Sequence, residues 1–379
     1  MKRLFPLLPC LFVLSATAQQ PQFNTAPQDL SVAAKSYVLI DFQSGQTLAS
    51  QNVHERVEPA SLTKLMTAYV VFGALYQKRI ALTQAVPVSE RAWRAQGSRM
   101  FIEPNRPVTV DELMRGMIVQ SGNDASIALA EAIAGSDSAF AQMMNKEAGR
   151  LGMKNTRFVN STGLPDPEHF STAHDLGLLA AAIIRDFPEY YPLYSLREYA
   201  YNKITQTNRN RLLWLDPNVD GIKTGYTEAA GYCLVSSARR GERRLIAVVM
   251  GAASDNARAM ESQRLLNYGF QFYDTIRLYS KQREVTAIQL WKGTQDKLKT
   301  GFGYDVYFSL PRHQADKLKA RMEYKQPLIA PISAGQKVGT VKFTLDGRPV
   351  AEHPLVALET VQTANLFGRA WDSMRLLFN

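Results

Sequence analysis

The rhythm of hydrophobic and polar positions changes several times along this chain, and each change marks a boundary. Residues 4–14 are a short apolar run behind Lys2 and Arg3 that ends at Ala16-Thr17-Ala18, the layout of a secretory signal peptide over 1–18, cleaved after Ala18. The run is far below the roughly 20 residues that a membrane-spanning helix needs. Residues 19–30 are Gln-rich and broken by Pro21 and Pro27, so they read as a flexible leader. From Ser31 the pattern becomes that of a folded domain. Residues 33–40 and 47–49 read as two strands joined by a turn containing Gly45. Residues 61–76 carry Leu62, Leu65, Met66, Tyr69, Val70, Phe72 and Leu75 on nearly every side, as a helix buried inside a domain does.

Helical periodicity recurs over 110–119, 125–134, 138–151 and 173–186. Strands return with two apolar runs, 231–238 and 243–251, which flank Arg239-Arg240-Gly241-Glu242 as an antiparallel hairpin would. A last long helix is expected over 257–275. Residues 31–280 thus read as one α/β domain, strands at its two ends and helices between. Beyond it, 285–291, 304–310, 338–345 and 350–357 alternate or run apolar around an Asp346-Gly347 turn, so 281–362 reads as a small β-rich domain. Residues 363–379 close the chain with Leu366, Phe367, Ala370, Trp371, Met374, Leu377 and Phe378 on one helical stripe, opposed by Arg369, Asp372, Arg375 and Asn379. Such an amphipathic helix either packs on the β domain or lies in a membrane surface.

Length and charge refine this picture. At 379 residues the chain is long enough for two cores, and it contains no low-complexity tract or internal repeat. Its formal charge of +10 falls to +8 once Lys2 and Arg3 leave with the signal, which points to an anionic neighbourhood. No finger-type Cys/His spacing or aromatic-basic stretch accompanies that charge, so no nucleic-acid partner is expected; lipid headgroups or wall polymer suit an exported basic protein better. Cys10 follows Pro9 rather than a small residue, against a lipoprotein signal, and after cleavage Cys233 is the only cysteine left. The histidines His54, His169, His174, His313 and His353 show no ligand spacing, so no metal or other cofactor is expected.

Three short clusters carry candidate chemistry: Ser61-Leu62-Thr63-Lys64, Ser121-Gly122-Asn123 and Lys223-Thr224-Gly225. A serine hydroxyl is a poor nucleophile until a base removes its proton, and a lysine one helical turn later lies on the same face with its amine in reach. Pro59-Ala60 places Ser61 at the start of the buried helix, near the amides of a helix N-terminus. Lys64 must be neutral to act, which burial and a second nearby cation, such as Lys223, both favour. Gly122 allows a tight turn that projects Ser121 as a proton relay and Asn123 toward a substrate amide. Gly225 lets a ligand lie against the strand backbone while Lys223 and Thr224 meet a carboxylate. Two further strings, Ser254-Asp255-Asn256 and Lys299-Thr300-Gly301, imitate the second and third clusters out of order, whereas Ser-x-x-Lys occurs once.

The longer strings around these clusters resemble the low-molecular-weight penicillin-binding proteins that are D-alanyl-D-alanine carboxypeptidases, relatives of the serine β-lactamases. They are Glu58-Pro59-Ala60-Ser61-Leu62-Thr63-Lys64-Leu65-Met66-Thr67, Ser121-Gly122-Asn123-Asp124-Ala125, Asp220-Gly221-Ile222-Lys223-Thr224-Gly225-Tyr226-Thr227 and Ala230-Gly231-Tyr232, within a likeness running from about Ser31 to the end. The resemblance implies a β-lactamase/transpeptidase-like fold, an antiparallel sheet flanked by a helical cluster, followed by a small all-β domain. It implies Ser61 as the acylated residue, Lys64 as its base, Ser121 and Asn123 in the cleft, and Lys223, Thr224 and Gly225 along the substrate. It adds Arg209, within Asn208-Arg209-Asn210, as a carboxylate-recognising residue, and the amides of Ser61 and Tyr226 as an oxyanion hole. The family often carries His where Tyr226 stands, a departure that alters pocket shape more than mechanism. The implied reaction releases D-alanine from a peptidoglycan stem pentapeptide, with β-lactams acylating the same serine. The implied place is the outer face of the cytoplasmic membrane, with residues 363–379 as the anchor. A class A β-lactamase would need a Glu-x-x-Leu-Asn string between Asn123 and Lys223, and none is present. A D,D-endopeptidase, or a non-catalytic wall-binding relative, uses or keeps the same fold. Sequence leaves the oligomeric state open.

Overall fold

The computed structural model describes residues 30–376. The expected signal peptide, all but the last residue of the leader, and Leu377 to Asn379 lie outside the described residues. Two compact units emerge: one runs through Leu278 and takes in Val306–Ala315, and the other holds Tyr279–Asp305 and the chain from Asp316 onward.

The first unit is built on a five-stranded antiparallel sheet in the order Thr47–Gln51, Ser36–Asp41, Arg243–Ala252, Gly231–Arg240, Val219–Thr227. The first and last parts of the segment therefore pair: Val38 lies opposite Val248 and Ile40 opposite Ile246. Strand alternation sends Val38, Ile40, Val235, Ile246 and Val248 into one core, and Leu39, Leu234, Leu245, Ala247 and Val249 into another. The first core is filled by the helices Lys64–Tyr76, Asn123–Ala134 and Ala173–Asp186, and the second by Asp255–Phe272. Coverage on both faces explains why every residue of Ser36–Asp41 is buried and why that strand reads as a continuous apolar run.

Several boundaries move from their expected places. The buried helix begins at Lys64, not Ser61, because Ala60–Thr63 winds as a tighter 3-10 turn. The helix expected over 110–119 stops at Arg115, and Gly116–Gln120 continues as a π-helical turn. The last long helix ends at Phe272, and Tyr273–Tyr279 extends as a strand paired with Val306–Pro311. That second strand, expected in the β-rich domain, belongs to the first unit, where the Ser309 amide donates to Gln46 Oε1 at 2.6 Å and its hydroxyl meets Ser44 at 2.7 Å.

The second unit is a six-stranded sheet in the order Leu318–Tyr324, Lys337–Leu345, Arg348–Ala357, Lys297–Gly301, Glu284–Trp291, Leu328–Ile329. Its inward positions, among them Ile288, Leu298, Phe343 and Leu355, are fully buried. Asp346 (φ 48°) and Gly347 (φ 78°) close the Lys337–Leu345/Arg348–Ala357 hairpin, since both central residues of such a turn need positive φ. The helix Leu366–Arg375 follows, capped by Asn365, whose side chain accepts from the Gly368 amide. The whole is a mixed α/β fold with an antiparallel sheet, followed by an all-β unit and a terminal helix.

Candidate active site

The turn Ala60–Thr63 delivers Ser61, and the structure commits several residues to that turn. Ala60 has φ 50°, and Gly163 sits so close that a Cβ there would lie 1.8 Å from the Ala60 carbonyl oxygen. With φ 81° as well, position 163 admits only glycine. Beneath the same turn, buried His169 places Nε2 2.7 Å from Thr63 Oγ1, while the Val159 amide donates to its Nδ1. Burial lowers the His169 pKa to about 4, so a neutral ring donates to Thr63.

Lys64 opens the buried helix and is itself 2% exposed. Its Nζ lies 2.6 Å from Asn123 Oδ1, 2.6 Å from the Thr162 carbonyl oxygen and 3.2 Å from Ser61 Oγ. Removal from water pushes its pKa down to about 7, the Arg209 guanidinium assists, and Asp124 opposes. Arg209 is thus a second cation acting on this amine, beside the Lys223 that the sequence named, whose own amine repels that of Lys64.

Ser121 takes a left-handed conformation (φ 67°, ψ 34°) directly after the π-helical turn, an unfavourable backbone for a non-glycine residue. That conformation brings its Oγ to 2.9 Å from Lys223 Nζ. Asn123 spends its side-chain amide within the protein: Oδ1 accepts from Lys64, and Nδ2 donates to the Gln96 carbonyl at 2.6 Å. A carboxamide has two N–H groups and two acceptor lone pairs, so one of each is left for the expected contact of Asn123 with a substrate amide. Asp124 accepts from the amides of Met100, Phe101 and Ile102, which fastens the segment around residue 100 beside the site.

Lys223 lies on the edge strand Val219–Thr227, and Gly225 brings that strand against the Ser61 turn: a Cβ there would sit 3.1 Å from the Pro59 carbonyl and 3.2 Å from Ala60 and Leu62. The Lys223 amine is held well below its ordinary range by burial, then by Lys64, Arg209 and Arg258. Thr227 donates to Glu58 at 2.8 Å and ties the strand's end to the approach to Ser61.

A cavity of about 560 Å³ is lined by Ser61, Ser121, Arg209, Thr224, Gly225 and Tyr226, a size that suits the extended end of a peptide. Lys64, Asn123 and Lys223 lie just beneath it, joined to Ser61 and Ser121 by the contacts above. The site residues singled out from the sequence thus gather around a single cleft. Sequence reasoning missed Thr162, which contributes only a backbone carbonyl, and Arg258, which lines the cavity and donates to the Gly225 carbonyl at 3.1 Å. The string Ser254-Asp255-Asn256 accounts for the placement of Arg258: Ser254 caps the helix Asp255–Phe272, and Asp255 pairs with Arg258 one turn later.

Residues 21–254 match the family model described as D-alanyl-D-alanine carboxypeptidase, and residues 273–363 match that described as penicillin-binding protein 5, C-terminal domain. The D-alanyl-D-alanine carboxypeptidase DacC of Escherichia coli (strain K12) is 42% identical over 99% of this chain and 94% of its own length. The crystal structure of penicillin binding protein 5 from Haemophilus influenzae superposes with a TM-score of 0.86 at 41% identity, covering 88% of this chain and 99% of that one. Penicillin-binding protein D2 of Listeria monocytogenes, solved in its ampicillin-bound form, covers 64% of this chain and 100% of its own at 30% identity, with a TM-score of 0.60. The chain belongs to the D-alanyl-D-alanine carboxypeptidase family of penicillin-binding proteins, with a C-terminal domain of the penicillin-binding protein 5 type.

Proposed function

We propose that Ser61 is the residue acylated in this carboxypeptidase and that Lys64 is the base that takes its proton. The observation that carries the assignment is the set of partners around the Lys64 amine. A neutral amine offers two N–H groups and one lone pair. The Asn123 and Thr162 oxygens, each at 2.6 Å, take the two N–H groups, and the lone pair is left for the Ser61 hydroxyl at 3.2 Å. A charged ammonium would leave Ser61 with nothing to accept its proton.

Ser61 Oγ attacks the carbonyl carbon of the penultimate D-alanine as its proton passes to Lys64. The amides of Ser61 and Tyr226 hold the oxygen that becomes negative. Ser121, fixed by Lys223, relays the proton held by Lys64: it gives its own proton to the departing nitrogen and receives the one from Lys64, the C–N bond breaks, D-alanine leaves and Lys64 is neutral again. Water then hydrolyses the ester and restores the hydroxyl. Thr224 and Arg209 hold the terminal carboxylate, Gly225 admits the peptide along the strand, and Asn123 keeps Lys64 in place. The substrate is the stem peptide of peptidoglycan, and a β-lactam acylates the same oxygen.

The chain is exported, loses residues 1–18, and works at the outer face of the cytoplasmic membrane. Residues 31–280 carry the chemistry, 281–362 apart from Val306–Ala315 form the β-rich domain, and 363–379 anchor the protein. The helix Leu366–Arg375 supports the last point, because Leu366 (79%), Phe367 (88%) and Trp371 (61%) face outward. Its polar side is the attached one: buried Asp372 accepts from the Lys292 amide at 2.6 Å, and Arg375 lies over the Trp291 ring. Through this amphipathic helix the attachment is peripheral; no helix among the described residues is long and apolar enough to cross a membrane.

The test of the site incubates wild-type and Ser61→Ala protein with a stem-pentapeptide mimic and with labelled penicillin. Both free D-alanine and the covalent adduct disappear with Ser61. An adduct that survives Ser61→Ala places the nucleophile elsewhere. Truncation after Thr363 yields an active enzyme in the soluble fraction, and a truncated form that stays with membranes refutes the anchor.

A further inference from the structure

The edge strand carries a second feature that the reaction above leaves unused. Gly225 faces the turn bearing Ser61, so by strand alternation the side chains of Thr224 and Tyr226 point the other way. Tyr226 is 52% exposed in the cleft, and its ring centroid lies 4.5 Å from that of Tyr232, its direct cross-strand partner, with the planes inclined by 38°. The Arg258 guanidinium lies 5.5 Å from the Tyr232 ring centroid, hydrogen-bonds the Gly225 carbonyl and pairs with Asp255. Tyr226 is therefore backed by a ring that is itself backed by an anchored cation, and all three line the cavity with Ser61 and Arg209.

We infer that the Tyr226 side chain is a specificity-determining wall that limits the size of the residue released by the enzyme. The inference rests on the assignment of Arg209 and Thr224 to the terminal carboxylate. A carboxylate held there puts the side chain of the leaving residue on the strand face that Tyr226 occupies. The methyl group of D-alanine clears the ring, and a longer side chain meets it. Because Tyr232 and Arg258 brace the ring from behind, it yields little to a larger group. The wall thus favours a single small C-terminal residue over the bulkier leaving group of a cross-linked peptide.

The test compares kcat/KM for an acyl-peptide ending in D-Ala-D-Ala with the same peptide ending in D-Ala-D-Leu, by quantifying the released amino acid. Tyr226→Ala raises the D-Leu to D-Ala ratio roughly ten-fold or more, the scale of discrimination that a steric pocket provides. Tyr226→Phe keeps the wild-type ratio, because the wall acts through ring area and not through its hydroxyl. Tyr226→Leu lies between the two and serves as a second reading should the alanine variant fail to fold. A ratio that stays at the wild-type value in both Tyr226→Ala and Tyr226→Leu overturns the wall, as does an equal change in Tyr226→Phe. Ser61→Ala, run beside them, separates the two claims: release that persists without Ser61 refutes the assigned nucleophile. Release that needs Ser61 with an unmoved ratio refutes only the wall.

Discussion

Lys223-Thr224-Gly225 and Lys299-Thr300-Gly301 are the same three residues on strands of the two units, and the structure treats them differently. Lys223 is 3% exposed, bonded to Ser121 and crowded by three other basic side chains, whereas Lys299 is exposed on a strand of the β unit. Thr224 lines the cleft, whereas buried Thr300 donates to the Thr286 carbonyl at 2.8 Å and belongs to its own sheet. Gly225 makes room for the Ser61 turn, and Gly301 for the Arg283 carbonyl. A tripeptide has no chemistry of its own; burial and what lies opposite decide whether its amine is part of a site or a solvated charge.

Substitutions can break this contrast. Lys223→Ala slows acylation by labelled penicillin by about 10²-fold or more, while Lys299→Ala leaves the rate at wild type; equal effects would dissolve the distinction. The next test is pH. With a Lys64 pKa of about 7, acylation falls as pH drops through 7, because protonation removes the lone pair that Ser61 needs. Arg209 helps hold that pKa down, so Arg209→Met shifts the acid limb to higher pH, and a limb that stays in place removes Arg209 from the account. The same depressed pKa makes stability decline as pH falls from 10.5 toward 7, since over that range only the unfolded chain takes up this proton.

Smaller effects separate the threonines. Thr224→Val raises KM for the peptide roughly ten-fold with little change in unfolding temperature, as expected for one carboxylate hydrogen bond. Thr300→Val costs about 1 kcal/mol of stability, read by denaturant unfolding, and leaves KM alone, because its lost bond is internal. If Thr300→Val changed KM, the two strands would not be as independent as their surroundings indicate.

Much of this was legible in the chain. The helix Ala173–Asp186 begins and ends where its periodicity does, because Thr172 caps it and its apolar stripe packs on the sheet. The hairpin at Asp346-Gly347 follows from two residues that tolerate positive φ. Other features were hidden because they depend on distant partners. The left-handed Ser121, the close approach of Gly163 to Ala60 and the contacts of Asn123 with Lys64 and Gln96 are set by segments far away in sequence. The membership of Val306–Ala315 in the first unit comes from strand pairing with Tyr273–Tyr279, which no local pattern records.

By itself the sequence determined the strands, the helices and the order of three reactive clusters, since these follow from local periodicity, turn chemistry and residue type. Tertiary structure decided how deeply Lys64 and Lys223 are buried, what lies opposite each Lys-Thr-Gly and which cations crowd the two buried amines. The reason is that a side chain's charge state and reach depend on the water it loses and the groups it meets, and both are supplied by residues remote along the chain.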